Sequence, residues 1–366
     1  MRTHTIALTI LGALTLTLAG CGDLSQGGVI SVGYTPDNHL VAFLGGEVRV
    51  YDRDGHNISR KIVTRVQEDG YFQFSARLVL SKDGTRVAIG VHREVDVHDV
   101  STGARVAPPL LVEDDVTVTS SIVGLALSPS GELLACAVDP ITSGTPHLDV
   151  WRVADGKRVV AIAMTPGAGP GSSWGADLAF SADARVLYGI ENVNSASGAS
   201  GKQFVTAWKV TDGSTLWRSE LPPELYHGPS EGIPAPFSSL ALSPDGSTLA
   251  TGSVEVLLWH AADGTRVAGF QTPQQNVSAQ VIAFSADGRS LATTYAINEV
   301  DKNAIVFGPT GAIAQSWPVE GGGCEGISFS PDGQRLAAAC SDGLLEIWNP
   351  TNGDVVTRAK ATTTLY

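Results

Sequence analysis

The chain has 366 residues, 43% of them hydrophobic, and carries a formal charge of −13 at neutral pH. An acidic chain with no basic cluster is poorly suited to nucleic acid, whose recognition rests on neutralising phosphates with lysine and arginine. At this length two domains are the usual expectation, unless internal repeats build one large ring.

Residues 1–20 read as a targeting segment and stand outside any folding argument. Arg2 and His4 make a short polar start, Thr5 to Ala19 is a largely apolar run, and Leu18-Ala19-Gly20-Cys21 follows. That run falls short of the roughly 20 apolar residues that a membrane span needs. Leu18-Ala19-Gly20-Cys21 resembles the lipobox of bacterial lipoprotein precursors. The resemblance implies cleavage before Cys21, lipidation of its thiol, and a protein anchored to a membrane rather than threaded through it. An ordinary secretory peptide with a chance cysteine is the alternative. Gly22 stands where an aspartate would oppose it, which resembles outer-membrane sorting if the organism has two membranes. Residues 21–28 are then a short tether.

Residues 29–366 repeat one pattern seven times. The positions matching the serine of Ser-Pro-Asp-Gly are Thr35, Ser81, Ser128, Ser181, Ser243, Ser285 and Ser330, separated by 46, 47, 53, 62, 42 and 45 residues. The clearest copy runs Leu240-Ala241-Leu242-Ser243-Pro244-Asp245-Gly246, then Val256-Leu257-Leu258-Trp259, then Ala262-Asp263-Gly264. A near twin runs from Ile327 to Gly353. The apolar run before each anchor predicts a strand buried on both faces. Ser-Pro-Asp-Gly predicts a tight turn, with proline presetting the second position and glycine closing it. A second strand follows, then a third ending in an aromatic residue, an Asp-Gly type turn and a more polar fourth strand.

The first inner strand is expected near Val29 to Tyr34 and the last outer strand near Val355 to Lys360, so ring closure would lack the usual strand borrowed from the opposite terminus. A sheet apolar on both faces cannot bury both alone. The predicted architecture is therefore an all-β, seven-bladed β-propeller of four-stranded antiparallel blades, spanning 29–366.

Over essentially this whole span the chain resembles the WD40 and WD40-like repeat family. Its third strands end in Tyr51-Asp52, His98-Asp99, Trp151-Arg152, Trp208-Lys209, Trp259-His260, Phe307-Gly308 and Trp348-Asn349. Two of the seven keep the family's aspartate, and no Gly-His dipeptide is placed to complete the hydrogen-bonded network of eukaryotic members. The resemblance is to a divergent bacterial branch, which implies the fold without implying a eukaryotic partner.

Three further cysteines follow Cys21. With Phe329 opposite about Leu336 across the Ser330 turn, residue 324 falls opposite 341, so Cys324 and Cys340 lie within one residue of register. An exported protein meets an oxidising compartment, so a disulfide is expected, with two separate thiols as the alternative. Cys136 reads as a small core residue. Asp52-Arg53-Asp54-Gly55 and Glu113-Asp114-Asp115 offer oxygen ligands but lack EF-hand spacing and read as solvated turns. The histidines show no zinc-like spacing, and His92 and His98 read as structural. Neither a metal nor a cofactor is predicted.

Turns joining first to second and third to fourth strands read as nearly all short. The length variation falls in the other two classes of connection, which family geometry places on one face. The longest are Asp139 to His147, Thr165 to Ala176, Glu191 to Gln203, Leu221 to Ser238 and Ala296 to Asn303. Long loops on a rigid scaffold are where binding tends to reside, and tolerated surface insertions are the alternative. The candidate binding face comprises Trp174, Tyr226, His227, Asn192, His147 and Glu299, amphipathic or polar groups suited to contact. The inner strands show no ring of carboxylates or histidines, no Gly-x-Ser-x-Gly elbow occurs, and Gly167 to Gly171 lacks the lysine of a phosphate loop. The expected function is a non-catalytic scaffold that binds a protein or peptide in the cell envelope. The rival is a lactonase-like hydrolase with loop acids such as Glu191, Glu299 and Asp301.

Overall fold

The computed structural model describes all residues except 1–28, 45–46, 57, 64–76, 92–93, 113–119, 141–145, 164–176, 194–201, 223–238, 253–254, 272–278, 297–301, 322, 341 and 361–366. The described residues form seven four-stranded antiparallel sheets and no helix. Blade 1 is β1 (Val29–Tyr34), β2 (Leu40–Leu44), β3 (Glu47–Tyr51) and β4 (Ile58–Val63). Blade 2 is β5 (Arg77–Leu80), β6 (Arg86–Val91), β7 (Glu94–Asp99) and β8 (Leu110–Leu111). Blade 3 is β9 (Ser120–Leu127), β10 (Leu133–Pro140), β11 (His147–Arg152) and β12 (Lys157–Ala163). Blade 4 is β13 (Leu178–Phe180), β14 (Val186–Val193), β15 (Lys202–Lys209) and β16 (Thr215–Glu220). Blade 5 is β17 (Ser239–Leu242), β18 (Thr248–Gly252), β19 (Glu255–His260) and β20 (Arg266–Gln271). Blade 6 is β21 (Ala279–Phe284), β22 (Leu291–Ala296), β23 (Lys302–Phe307) and β24 (Ile313–Pro318). Blade 7 is β25 (Cys324–Phe329), β26 (Leu336–Cys340), β27 (Leu344–Trp348) and β28 (Val355–Lys360).

The seven first strands pack side by side in the cycle β1, β5, β9, β13, β17, β21, β25 and back to β1, which closes a propeller around an axis. Each sheet consists of four consecutive strands, so the ring closes without strand exchange.

Because successive side chains on a strand point to opposite faces, a strand between two neighbours must be apolar at every position. On β10, Leu134, Cys136 and Val138 face blade 2, whereas Ala135 and Ala137 face blade 4. The core is accordingly divided into seven apolar clusters, one between each adjacent pair of blades. The aromatic that ends each third strand wedges toward the preceding blade. Trp208 joins the cluster between blades 3 and 4, Trp259 that between 4 and 5, and Trp348, fully buried, that between 6 and 7.

The repeated turn is held by one small network. In blade 5, Ser243 Oγ donates to Asp245 Oδ1 at 2.6 Å and accepts the Thr248 N–H at 2.9 Å, while Asp245 Oδ1 accepts the Ser247 N–H. Five other blades repeat the Ser/Thr to Asp bond: Thr35 to Asp37, Ser81 to Asp83, Ser181 to Asp183, Ser285 to Asp287 and Ser330 to Asp332. Blade 3 has Ser130 in place of the aspartate and keeps the bond from the Leu133 N–H to Ser128 Oγ.

The outer edges are blunted by irregularity, which opposes pairing between sheets. Every blade but the second has a β-bulge between its third and fourth strands. In blade 2 the fourth strand is reduced to Leu110–Leu111 plus an isolated bridge from His98 to Arg105. Pro108 and Pro109 explain the break, since proline supplies no N–H to a ladder.

Candidate binding face and channel mouth

The antiparallel meander fixes which connections share a face. Every first-to-second and third-to-fourth turn lies at one end of the strands, and every second-to-third and fourth-to-first connection lies at the other. The first group runs to only a few residues except at 100–109 in blade 2, whereas the second includes 64–76, 164–177 and 221–238.

Trp174, Tyr226, His227, Glu299 and Asp301 of the sequence reading lie outside the described residues. Asn192 lies in β14 opposite Gln203. His147 opens β11 half-buried, with Nε2 3.6 Å from Asp149 Oδ2 of the same strand. Glu191 corrects the expectation of a loop acid. It sits inside β14, is 5% exposed, accepts from Thr206 Oγ1 at 2.7 Å and pairs with Arg218 Nε at 2.7 Å. Strand pairing persists to Val193 because Asn192 and Val193 continue the ladder to Gln203 and Lys202. Similar pairs recur where a third-strand acid meets an outer arginine: Asp96 with Arg105, Asp149 with Arg158, and Glu346 with Arg358. A buried carboxylate requires such a partner, so these acids serve the sheets.

The disulfide between Cys324 and Cys340 is present, and the two residues are directly paired across β25 and β26. The expected one-residue offset is absorbed by a bulge at Glu325, because Gly326 pairs with Ala339 while Cys324 pairs with Cys340. Cys136 is a buried free thiol, and its burial, with Asp149 nearby, pushes its pKa well up. His98 is likewise buried, its Nδ1 3.1 Å from the Gly103 carbonyl oxygen.

Three charges missed by the sequence reading lie where the inner strands begin. Arg77 is the first residue of β5, Asp177 immediately precedes β13, and Glu325 is the bulged residue of β25. They come from blades 2, 4 and 7, none adjacent to another, yet the Arg77 guanidinium acts on both carboxylates. Their positions at the starts of inner strands put them at the end of the ring that carries the long connections. Asp177 is anchored by the Leu240 N–H, which donates to Oδ2 at 3.2 Å. Partial burial raises the Asp177 pKa and Arg77 opposes that rise, whereas Glu325 keeps an exposed side chain. The available signal was a charged residue beside each apolar inner run, as in Arg77-Leu78 and Asp177-Leu178.

At the opposite end the Lys82 side chain crosses from blade 2, its Nζ donating to the Pro244 carbonyl of blade 5 at 2.9 Å. Blade 5 is as far around the ring from blade 2 as any blade can be, so this bond spans the floor of the channel. Between mouth and floor, Val79, Val123, Ala179, Ala241 and Ala283 on the inner strands keep partial exposure. Neighbouring blades cover both faces of those strands, so the exposure is toward the axis. Among the described residues no group of three or more histidine, cysteine, aspartate or glutamate side chains is placed to hold a metal ion. No helix long and apolar enough to cross a membrane occurs among the described residues.

The family model "WD domain, G-beta repeat" of the WD40 family matches residues 317–349, which run from the end of β24 through β27. No curated protein matches the chain. The matched segment contains the Ser330 turn and the buried Trp348, the two features that recur in variant form around the ring. Of the hydrogen bonds expected at the third-strand tryptophans, Trp259 Nε1 donates to Thr251 Oγ1 at 3.0 Å. The buried Nε1 groups of Trp151 and Trp348 find no partner among the described residues, in keeping with the missing Gly-His elements.

Proposed function

We propose that this WD40-like seven-bladed propeller is a non-catalytic scaffold of the cell envelope, anchored through lipidated Cys21, which binds a protein or peptide through the face carrying the long connections. The asymmetry of the two faces carries the reading. One end of the ring is made of short turns, apart from 100–109, whose serines, threonines and aspartates bond one another and their own backbones. The other end joins its strands by segments as long as 221–238. Rigid blades with variable connections on one side suit recognition, and WD40 propellers generally bind proteins by such surfaces. The lipobox-like Leu18-Ala19-Gly20-Cys21 and the cross-strand disulfide both suit an exported chain.

Two measurements test this. Growth with an alkyne-tagged fatty acid should label the wild-type protein in the membrane fraction and leave Cys21→Ala unlabelled. Crosslinkers placed at residues 174 and 226 should capture a partner in intact envelopes, whereas crosslinkers at the turn residues 246 and 288 should not. Equal capture from both faces, or label retained by Cys21→Ala, would refute the corresponding half of the proposal.

A further inference from the structure

We propose that the face carrying the long connections is held toward the membrane, and that its partner is the exposed part of a protein embedded in that same bilayer. This rests on the anchoring of Cys21, to which it adds the orientation of the ring and the kind of partner that can reach it.

The tether leaves the ring at a fixed point. β1 begins at Val29, at the end of the strands where fourth-to-first connections arrive, which is the end with the long connections. Val29 pairs with Leu44 inside blade 1. Ser31 Oγ donates to the Leu78 carbonyl of blade 2 at 3.0 Å, and the Tyr34 N–H donates to Ser328 Oγ of blade 7 at 3.3 Å. A Cβ on Gly326 would stand 3.0 Å from the Val32 nitrogen, so β25 lies hard against the same strand. Held from both sides, β1 does not peel away to lengthen the tether.

Covalent geometry then limits the distance to the membrane. Eight peptide steps separate Cys21 from Val29, which is about 29 Å when fully extended at about 3.6 Å each. To lay the turn face on the bilayer, the tether would have to cross blade 1 and descend its outer edge. Three interstrand spacings cover about 14 Å and an outer strand of six residues about 20 Å, together about 34 Å. The channel gives no shorter route, because Lys82 Nζ meets the Pro244 carbonyl across its floor at 2.9 Å. The turn face therefore cannot meet the membrane, whereas the opposite face keeps its centre close to it.

The same limit selects the partner. A free-standing globular domain of about 100 residues has a radius of gyration of about 13 Å and a diameter of roughly 33 Å, more than the gap beneath an upright ring. Tilting widens that gap on one side only by lowering the opposite rim onto the bilayer. A segment that rises from the bilayer meets the face with no such tilt. Lipid headgroups are a poorer match, since anionic membrane surfaces attract clustered lysine and arginine, and this chain is acidic at −13 with no basic cluster.

For the test, the lipidated full-length protein is reconstituted in liposomes of phosphatidylethanolamine and phosphatidylglycerol that contain an acceptor-labelled lipid. Lys202→Cys and Glu320→Cys place a fluorescent donor on the long-connection face, and Ala182→Cys and Ala286→Cys place it on the turn face. All four positions are exposed, while Cys136 is buried and stays unlabelled. Energy transfer from 202 and 320 should exceed that from 182 and 286 about twofold, since the two ends lie roughly 20 Å apart. Equal transfer, or stronger transfer from the turn face, overturns the orientation. Inserting about twenty Gly-Ser residues between Gly27 and Gly28 should abolish the difference, because a flexible tether of that length reaches round the ring. A difference that survives the insertion means that lipid itself holds the face, and overturns the choice of partner. In intact cells a photocrosslinker at Lys202 should capture a protein that stays with the membrane through an alkaline carbonate wash. Capture only of a protein that the wash removes overturns that choice as well. The two readings fail separately: protein without the acyl group loses the anchor and this inference with it, whereas acylated protein with equal transfer loses the orientation alone.

Discussion

Arg335 Nε lies 2.6 Å from Oδ1 of Asp54, a residue 281 positions earlier in the chain. The pair joins blade 7 to blade 1 at the seam where the ring closes. Beside it Arg53 Nη1 meets Asp332 Oδ2 at 3.0 Å, and Thr357 Oγ1 donates to the Asp54 carbonyl at 2.6 Å. The Tyr34 N–H reaches Ser328 Oγ at 3.3 Å. Below these bonds Val32, Leu40, Ala42 and Tyr51 pack on Ala337, Ala339, Leu345 and Ile347. A propeller that borrows no strand thus closes on one apolar cluster and a rim of polar contacts.

The seam gives the first prediction. The Arg335 side chain is 16% exposed and that of Asp54 30%, so the pair is shielded from solvent more than a surface bridge but not dry. Exposed pairs contribute about 0.2–1 kcal/mol, and this one should exceed that range slightly. A double-mutant cycle with Arg335→Ala and Asp54→Ala, read by urea unfolding, should give a coupling of about 1–2 kcal/mol that shrinks in high salt. A coupling near zero would mean that the apolar cluster alone holds the ring closed.

Trp348 gives the second. It is fully buried among Trp317, Leu336 and Ala338, with its ring centroid 5.8 Å from that of Trp317. Trp348→Ala should cost about 3–5 kcal/mol, the range for large aromatics removed from a packed core. Trp151→Ala, from a ring only partly buried, should cost visibly less. Equal losses would show that the wedges do not act through burial.

The third concerns acid. Hydrogen bonds from Ser243 and from the Ser247 backbone and hydroxyl hold the Asp245 pKa down to about 2, and Asp37, Asp183 and Asp287 are lowered in the same way by their serine or threonine partners. A folded-state pKa below the unfolded value of about 3.9 contributes stability that is complete above pH 5 and is lost as pH falls through the folded value. Melting temperature should therefore decline between about pH 5 and pH 2. Ser243→Ala should lower stability at pH 7 by about 1 kcal/mol and make the acid decline shallower. Asp177 acts in the opposite sense, since its raised pKa makes ionisation costly on folding, so Asp177→Asn should lose less stability at neutral pH than Asp245→Asn. An unchanged acid limb in Ser243→Ala would remove the turn network as its cause.

The sequence made the blades legible because their signal is local. The limits of the first and last strands, Val29–Tyr34 and Val355–Lys360, fall where the repeat predicts them, and so does the absence of strand exchange. The disulfide was legible to within one residue, and the missing step is the Glu325 bulge, which depends on both strands at once. Glu191 was misread because a ladder to Lys202 and Gln203 extends β14 past the point where its own residues stop looking apolar. Arg77, Asp177 and Glu325 escaped for a different reason. They begin the inner strands of three separate blades, and no window of sequence contains the three together.

Ala184 gives the last prediction. It occupies the fourth position of the blade 4 turn, where blades 2, 3, 5, 6 and 7 have glycine, and its φ is 56° against 68–75° for those glycines. The turn needs that left-handed conformation because the residue 184 N–H must reach back to the Ser181 carbonyl at 2.9 Å while Ser181 Oγ bonds Asp183. A Cβ in that region crowds the following carbonyl at a cost of roughly 1–2 kcal/mol, which glycine avoids. Glycine also gives the unfolded chain more freedom, which offsets roughly 0.4–1 kcal/mol of the gain. Ala184→Gly should therefore raise stability by about 0.5–1 kcal/mol, seen as a higher urea midpoint with an unchanged slope. The reciprocal change Gly246→Ala should lower it by a similar amount, because no atom outside its own chain neighbours lies within 4 Å of the new methyl group and local conformation alone is altered. If both substitutions shifted stability in the same direction, backbone strain would not be what this position discriminates.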